Sequence, residues 1–458
     1  MRRWIMILIA IAAIAVSVIA FRVIKPDSEW SSGSQPALEA FRQGLEAEKK
    51  LYWNEAREHY ARAAEIDPDF VMARFKTVSL TMSPEREQRL RDLIDRVDLE
   101  SLTSRERFLM EYRLSLLEKR PETAEKIMGA YLAENPNDLY ALTIHCDVVW
   151  IGGNLDAAED CFEKVRKIDP GWAHSHNNIG YIRMARGDFA GAEEAFASYR
   201  QLAPDQANPH DSLGELLMLT GRYEEALNEF EQAVAIRADF CATWSHLVDL
   251  MILQGDTAGA DRIIQRAENV VCSPEFIETQ KLRVAAWKAI FAGNSSDVLT
   301  RSTRKACEGG AIDPLSLAAI HQAALNAGDT DFAADLEEAF VKRNRAGKPG
   351  PMTPPLLAHL TGMRLASEGA IAEAIAQLRE SDRRITYNGG GMGLFKMYNR
   401  LALATLLEQS GAESQAAQLR AEVREISAPF ADHFARIQLG RDAQTKRPEA
   451  IQVANPAS

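Results

Sequence analysis

A repeat of 34 residues constrains the fold of this chain more than any other feature of its sequence. A glycine, an alanine and a large apolar residue each recur at that spacing. These three columns are Gly153, Gly187, Gly221 and Gly255; Ala158, Ala192, Ala226 and Ala260; and Phe162, Phe196, Phe230 and Ile264. A fourth column in the same frame contains Pro68, Pro136, Pro170 and Pro204. Four columns in one register indicate repeated structural units of equal length.

Each unit has the pattern of two helices joined by a tight turn. A helical apolar pattern ends at the glycine, and a second one, centred on the alanine and the aromatic residue, ends before the proline. Glycine readily adopts the positive φ that ends a helix, and proline stops the second helix because it has no N–H to donate. One hairpin cannot bury its own apolar face, so the units must stack. The sequence therefore predicts an all-α chain of stacked hairpins.

The residues in these columns resemble the tetratricopeptide repeat family. The clearest unit is 173–206, where the family positions are occupied by Ile179, Gly180, Gly187, Phe189, Ala192, Phe196 and Pro204. The resemblance implies an α-solenoid, a right-handed superhelix of helical hairpins with a concave groove that binds extended peptides or partner helices. Counting the turns along the chain gives about eleven hairpins, behind one N-terminal transmembrane helix.

The frame divides the chain into ranges. We expect a signal-anchor helix in 1–25, a linker in 26–36, seven in-register hairpins in 37–274, divergent hairpins in 275–428, a capping helix in 429–440 and a disordered tail in 441–458. The second hairpin is the weakest, because Leu90 and Ile94 replace the alanine and the aromatic residue. The in-register hairpins begin at Ala37, Val71, Arg105, Leu139, Ala173, Ala207 and Cys241.

An uncharged apolar run of 18 residues at 4–21 predicts a membrane segment. A helix of that length reaches nearly across the roughly 30 Å hydrocarbon layer. A cleaved signal peptide is the alternative, because a basic start and small residues near Ala20 fit it too. The flanking cations are balanced, so they barely determine the orientation. We place the anchor in a bacterial inner membrane and the soluble domain in the periplasm.

Charge and the extent of the repeats exclude other function classes. The chain has 53 Lys and Arg against 65 Asp and Glu, a net charge of −12, which argues against a nucleic-acid partner. Hairpins and caps occupy 37–440, so no range remains for a catalytic domain, and we predict no catalytic residue, cofactor or metal. The run from Gly389 to Gly393 lacks a Gly-Lys-Ser/Thr ending and is interpreted as a flexible loop between hairpins.

Five cysteines contain no C-x-x-C pair, so a zinc ribbon is excluded. Cys146 takes the small-residue position of its first helix and is interpreted as a buried thiol. Cys241 and Cys272 flank one hairpin at the same end, so a disulfide between them is a hypothesis for an oxidising compartment.

The resemblance also implies which residues face the groove, because the family lines it with the first helix of each hairpin. Acidic side chains there, with no Lys or Arg, predict a protein or extended-peptide partner with a neutral or basic segment. The alternative is a concave face that is merely solvated. These inner positions are Tyr140, Thr143, Asp147, Trp150, His174, Asn177, Asn178, Tyr181, Asn208, Asp211, Ser212, Glu215, Ser245, His246 and Asp249.

The first hypothesis for function is a non-enzymatic, membrane-tethered scaffold or adaptor that binds protein partners for assembly, maturation or quality control in the cell envelope. One alternative is a signal-receiving module that acts with a separate kinase or transcriptional regulator, since parts of the chain are similar to repeat domains fused to bacterial signalling proteins. The other is a cytosol-facing co-chaperone or import-type receptor. The resemblance implies that such family members hold acidic C-termini of chaperones with Lys and Arg at the inner positions, and the lack of these cations here weakens that alternative.

Overall fold

The computed structural model of the chain describes residues 29–270, 272–293, 300–309, 312–346, 352–387 and 389–438. The predicted membrane helix at 4–21 and the predicted tail at 441–458 lie outside these ranges. Within the described ranges, none of the helices combines the length and the apolar character needed to cross a membrane.

Helices account for all the regular secondary structure in the described ranges, which is the all-α chain of hairpins that the repeat predicts. The chain divides into two compact units, one ending at His174 and the other beginning at Ser175. The first unit contains α1 (Gln35–Lys49), α2 (Trp53–Ile66), α3 (Val71–Ser79), α4 (Arg86–Ile94), α5 (Ser104–Leu117), α6 (Pro121–Glu134), α7 (Leu139–Ile151) and α8 (Leu155–Ile168), with a 3-10 turn at Leu99–Ser101.

Helix α9 (Ala173–Arg186) begins where the first unit ends, and the remaining helices belong to the second unit. They are α10 (Phe189–Leu202), α11 (Ala207–Leu219), α12 (Tyr223–Ile236), α13 (Cys241–Leu253), α14 (Thr257–Glu268), α15 (Pro274–Phe291), α16 (Arg301–Gly309), α17 (Pro314–Asn326), α18 (Thr330–Ala346), α19 (Thr353–Ser367), α20 (Ile371–Arg384), α21 (Gly390–Gln409), α22 (Glu413–Ile426) and α23 (Ala428–Gln438). In the described ranges, consecutive helices therefore form eleven pairs followed by one last helix.

A residue in the left-handed region separates the two helices of most pairs. Gly153 and Gly187 have φ of 84°, and Gly221 and Gly255 have φ of 77° and 72°, as the glycine column predicts. The same position of the frame has positive φ at Leu51 (65°) and Lys119 (58°), where the sequence has no glycine. The turn geometry therefore persists without its preferred residue.

The small-residue column allows the two helices of a hairpin to approach closely. A Cβ added to Gly180 would lie 2.5 Å from the Phe196 ring, and one added to Gly214 would lie 2.5 Å from the Phe230 ring. Each glycine thus accommodates the aromatic residue of its own hairpin, and those phenylalanines are fully buried. The periodic pattern of glycine and phenylalanine records this packing directly.

Two disulfides link helices within single hairpins. Cys241 and Cys272 are bonded, with 5.8 Å between their Cα atoms, as hypothesised from their placement. Cys146 is bonded to Cys161, with Cα atoms 5.5 Å apart, so its interpretation as a thiol is wrong. Position 146 of α7 faces α8, where Cys161 lies one residue before the aromatic column, and this brings the two sulfurs together. Cys307 is a buried thiol.

The C-terminal helices of the second unit pack back against its earlier hairpins. Helix α21 contacts α11 and α17, and Tyr387 packs edge-on against Phe189 with ring centroids 5.5 Å apart. Near the last helix, Phe434 packs edge-on against Trp287 at 5.7 Å. Residues 211–219 of α11 are consequently all buried. This long-range packing is not part of the periodic pattern.

The glycine-rich run at 389–393 is part of this contact, so its prediction as a flexible loop is wrong. Gly389 has φ of 67° and precedes α21, and the next glycines form the first turn of that helix. A Cβ added to Gly393 would lie 2.7 Å from a methyl group of Leu219. A glycine at position 393 therefore permits the close approach of α21 to α11.

Candidate partner-binding surfaces

The inner positions predicted from the sequence are largely enclosed by the chain itself. None of the fifteen side chains is exposed: five are buried and ten are half-buried. The buried ones are Thr143, Asn178, Asp211, Ser212 and Glu215.

In the first unit, two of the inner positions make contacts within the unit. The Tyr140 hydroxyl donates to the Leu45 carbonyl oxygen at 3.3 Å, and the Lys76 ammonium lies 4.8 Å from the Tyr140 ring centroid. The Thr143 hydroxyl donates to the Leu139 carbonyl oxygen at 2.7 Å. These side chains are thus held by intramolecular contacts, while Trp150 is half-buried.

Asp147 and His174 form a pair at the end of the first unit. The Nε2 atom of His174 lies 3.1 Å from a carboxylate oxygen of Asp147, and its ring stacks on Phe162 with centroids 6.1 Å apart. The sequence placed both residues among the inner positions, and the structure brings them together.

In the second unit, a hydrogen-bonded chain joins three of the predicted residues. The Tyr181 hydroxyl donates to Ser212 Oγ at 3.0 Å, and the Ser212 hydroxyl donates to Asn177 Oδ1 at 3.2 Å. The Asn208 amide donates to the Tyr199 hydroxyl at 3.0 Å. Groups that were expected to pair with a peptide backbone therefore have partners within the unit.

The imidazole of His246 lies between two carboxylates of α11. Its Nδ1 is 2.9 Å from Asp211 Oδ1 and its Nε2 is 2.9 Å from Glu215 Oε1. The Thr243 hydroxyl donates to the same Asp211 oxygen at 2.7 Å. Burial alone would lower the pKa of His246, but the two carboxylates outweigh it and hold that pKa well above its usual value. The arrangement is therefore that of an imidazolium donating from both nitrogens.

Among the described residues, the same three side chains form a group that could hold a divalent metal ion. One potential ligand atom from each of Asp211, Glu215 and His246 lies within 4.8 Å of the others. Both ring nitrogens already contact carboxylate oxygens directly, so a metal would have to displace the imidazole from one of them. The contacts therefore favour a proton-bearing cluster over a metal centre.

Asp249 is neutralised by the following hairpin. The Arg283 guanidinium forms ion pairs with Asp249 and, at 2.7 Å, with Asp313, and it donates to Ser245 Oγ at 3.2 Å. Arg283 is buried. The four hairpins compared in the sequence have no inward Lys or Arg. The cation is Arg283, which lies on the next helix, α15.

These pairings weaken the reason for expecting a neutral or basic partner, which was the acidic character of the inner positions. Asp211 and Glu215 share one imidazolium, and Asp249 pairs with Arg283, so these carboxylates are not free to attract a basic partner. Sequence reasoning missed both pairings because the partners lie about 30 residues further along the chain. The assignment of the inner positions to partner binding stays a prediction.

A different surface, in the first unit, is open and apolar. A cleft of about 1130 Å³ lies between α5, α6 and α7. Three apolar side chains at or near it are exposed: Val148 by 51%, Leu116 by 38% and Ile151 by 84%. We call this surface the α5–α7 cleft; its lining is Tyr112, Leu116, Pro121, Glu122, Ala124, Glu125, Lys126, Met128, Gly129, Leu132, His145, Val148 and Val149.

The repeat frame contains one signal for this cleft, which is the column position of Val148. Val148 occupies the column of Ile182, Leu216 and Leu250, which are 0%, 1% and 0% exposed. In the first unit, Leu80 and Leu114 of this column are half-buried, and Val148 is more exposed than either. An exposed apolar residue in a mostly buried column marks a surface that another protein could cover. Only the structure reveals the exposure.

Comparison with known families identifies the repeat. Residues 183–248 match the sequence model of the family described as Tetratricopeptide repeat. This range covers parts of the hairpins formed by α9 to α13. No curated protein has significant sequence similarity to the chain.

Several solved structures share similarity with parts of the chain. MamA 41-end from Desulfovibrio magneticus RS-1 is 16% identical over 41% of this chain and 96% of its own, with a TM-score of 0.31. PilW, a type IV pilus biogenesis factor, is 16% identical over 43% and 89%, with a TM-score of 0.37. The APC/C hetero-tetramer Cut9–Hcn1 is 14% identical over 88% and 76%, with a TM-score of 0.44. Nothing about function follows from similarity at this level.

Proposed function

Because residues 183–248 match the tetratricopeptide repeat family, we propose that the chain is a repeat protein of this kind and a non-enzymatic scaffold, tethered to the inner membrane of a bacterium, that captures protein partners in the cell envelope. Its described residues form helical hairpins from α1 to α23, and such hairpins present surfaces for other proteins. Assembly, maturation or quality control of envelope proteins is the role that fits such a scaffold.

The observation that carries the proposal is the α5–α7 cleft. Monomeric soluble proteins rarely leave large contiguous apolar surfaces open, and such patches commonly mark protein–protein contacts. Val148 and Ile151 are exposed on the same helix. A scaffold needs a surface of this kind, and several of the inner positions already make intramolecular contacts.

The two disulfides support the proposed compartment. Disulfides form and persist in the bacterial periplasm and are rare in the cytosol, where thiols are kept reduced. Cys146–Cys161 and Cys241–Cys272 lie in different units, so each unit would need an oxidising environment. The apolar run at 4–21 supplies the proposed anchor.

Fractionation together with a C-terminal reporter tests the compartment. Alkaline phosphatase fused after Ser458 should be active, and a fluorescent protein that matures only in the cytoplasm should be dark. The chain should remain with the membrane after a carbonate wash, and a variant lacking residues 1–25 should not. Fluorescence in the cytoplasm would instead favour the cytosol-facing receptor.

Partner capture is tested by crosslinking in intact cells followed by purification of the full-length chain. A scaffold should co-purify a reproducible, substoichiometric set of envelope proteins that is missing from a control with an unrelated membrane-anchored protein. If purified chain instead turned over small-molecule substrates and captured no protein from any surface, the proposal would be wrong.

A further inference from the structure

The α5–α7 cleft exposes a residue whose counterparts in the second unit are buried. In the second unit, the counterparts of Val148 are Leu216 on α11 and Leu250 on α13, and both are essentially fully buried. There the preceding second helices, α10 and α12, pack against α11 and α13. In the first unit the corresponding pair, α6 and α7, leaves Val148 51% exposed. Val148 therefore lacks the cover that its counterparts in the second unit have.

The opening lies beside Met128 and Gly129 of α6. The aromatic column of the repeat contains Phe162, Phe196 and Phe230, but α6 has Met128 in that column. The next residue is Gly129, and a Cβ built there would meet no atom within 4 Å. Helix α6 therefore presents too little side-chain volume to fill the space before α7.

The size and the apolar lining of the cleft suit the apolar face of a helix. At about 1130 Å³ it exceeds the usual range of roughly 300–1,000 Å³ for small-molecule sites. Its lining includes Tyr112, Leu116, Met128, Leu132 and Val149. An amphipathic helix places apolar residues at i, i+3, i+4 and i+7 into such a groove.

Charged side chains at the edge of the cleft indicate which charge the partner helix should have. Glu122 and Glu125 are exposed on α6, one turn apart, and Lys126 is the cation beside them in the lining. The side chains at the edge thus have an excess of negative charge. Complementarity favours a helix with Lys or Arg beside its apolar face.

We propose that the α5–α7 cleft is the docking site for an amphipathic helix of a protein partner, with basic residues facing Glu122 and Glu125. The docked helix covers Val148, whose counterparts Leu216 and Leu250 are buried within the second unit. This inference rests on the proposed function, since it names the site and the partner chemistry of the same scaffold.

A photo-crosslinking residue at Leu116, in the full-length chain in its native cells, identifies the occupant directly. Mass spectrometry of the crosslinked peptide should find a segment of another protein with a helical apolar stripe and a net positive charge. Gly129→Leu fills the cleft and should reduce the yield of this crosslink at least about tenfold. Gly129→Ala is the matched control. This variant should retain the crosslink, because alanine, like leucine, has a higher helix propensity than glycine but does not fill the cleft.

Both Gly129 substitutions favour helix formation, so loss of the crosslink in Gly129→Leu alone is not a folding defect; matching circular dichroism spectra of the purified variants confirm this.

Glu122→Lys combined with Glu125→Lys should weaken the crosslink and its dependence on salt. A crosslink to residues 1–28 of the same chain, to a second copy, or one that persists in Gly129→Leu overturns the inference. If partners are still captured in that last case, the proposed function stands; if no protein is captured from any surface, both fail.

Discussion

At the scale of single residues, the turn position of each hairpin reveals how far packing can override local preference. Leu51 and Lys119 adopt positive φ, although an L-residue there costs about 1–2 kcal/mol relative to glycine. The sequence predicts this conformation where glycine is present. It does not predict this conformation at Leu51 or Lys119, because neither residue type favours positive φ; local backbone hydrogen bonds, such as that from Arg120 N–H to the Ser115 carbonyl oxygen, close the turn there.

Lys119→Gly should stabilise the protein. Lys119 is exposed, so glycine removes the backbone strain at φ of 58° without losing packing, and we expect a gain of about 1 kcal/mol. Urea unfolding followed by circular dichroism measures it. Gly153→Ala is the converse control: φ is 84° and no atom lies within 4 Å of the added Cβ, so a loss of about 1–2 kcal/mol would come from strain alone. A neutral Gly153→Ala would contradict this account.

His246→Gln should destabilise the protein most at low pH. Because the folded-state pKa of His246 is raised, the stabilisation by its proton is complete below about 6.5, the unfolded value, and is lost as pH rises through the folded-state pKa. At pH 6 we expect a loss of about 3 kcal/mol, the scale for breaking a buried ion pair. Unfolding free energies of both proteins across pH 6–10 measure it. A difference that does not shrink with rising pH would rule out the imidazolium.

At the scale of secondary-structure elements, periodicity predicted the hairpins well and their long-range packing not at all. The seven in-register hairpins begin within two residues of the predicted starts; even the weak second one forms, with Leu90 and Ile94 buried. The contact of Gly393 with Leu219 joins residues far apart in sequence and in different registers. Column patterns record contacts between neighbouring hairpins, so they contain no information on this one.

Gly393→Val tests the close approach of α21 to α11. The new side chain would overlap Leu219, and overpacking of this kind typically costs about 1–3 kcal/mol. Gly391→Val is the matched control, because a Cβ there meets no atom within 4 Å and the helix is the same. Thermal unfolding of both variants should find only Gly393→Val destabilised. Equal melting temperatures would mean that α21 does not pack on Leu219.

Reduction should weaken each unit through its own disulfide. Loss of Cys241–Cys272, which closes a loop across 31 residues, should cost about 3–4 kcal/mol in the chain-entropy picture. We expect Cys241→Ser with Cys272→Ser to unfold at lower urea than Cys307→Ser. Alkylation of unreduced, unfolded protein should modify one thiol, that of Cys307, and five after reduction. Modification of three or more before reduction would show that a disulfide is missing.

At the scale of the whole molecule, the two units differ in which surface they leave open. In the second unit the predicted inner positions are enclosed by intramolecular hydrogen bonds, ion pairs and the C-terminal helices, as at Ser212, which is 1% exposed. In the first unit an apolar cleft remains open beside α7. The sequence places Val148 and Ser212 on the first helices of their hairpins. It does not predict how exposed they are, because their exposure depends on the side-chain volumes of neighbouring helices.

Thiol accessibility at Val148 and Ser212 is the most direct test of this account. Val148→Cys and Ser212→Cys, each in a Cys307→Ala background, are reacted with a maleimide under native conditions, with both disulfides verified by mass. We expect Val148→Cys to react at least about 100-fold faster than Ser212→Cys, with equal rates in denaturant. Equal native rates, or faster modification of Ser212→Cys, would mean that the inner positions of the second unit are open and that the partner surface has been placed on the wrong part of the molecule.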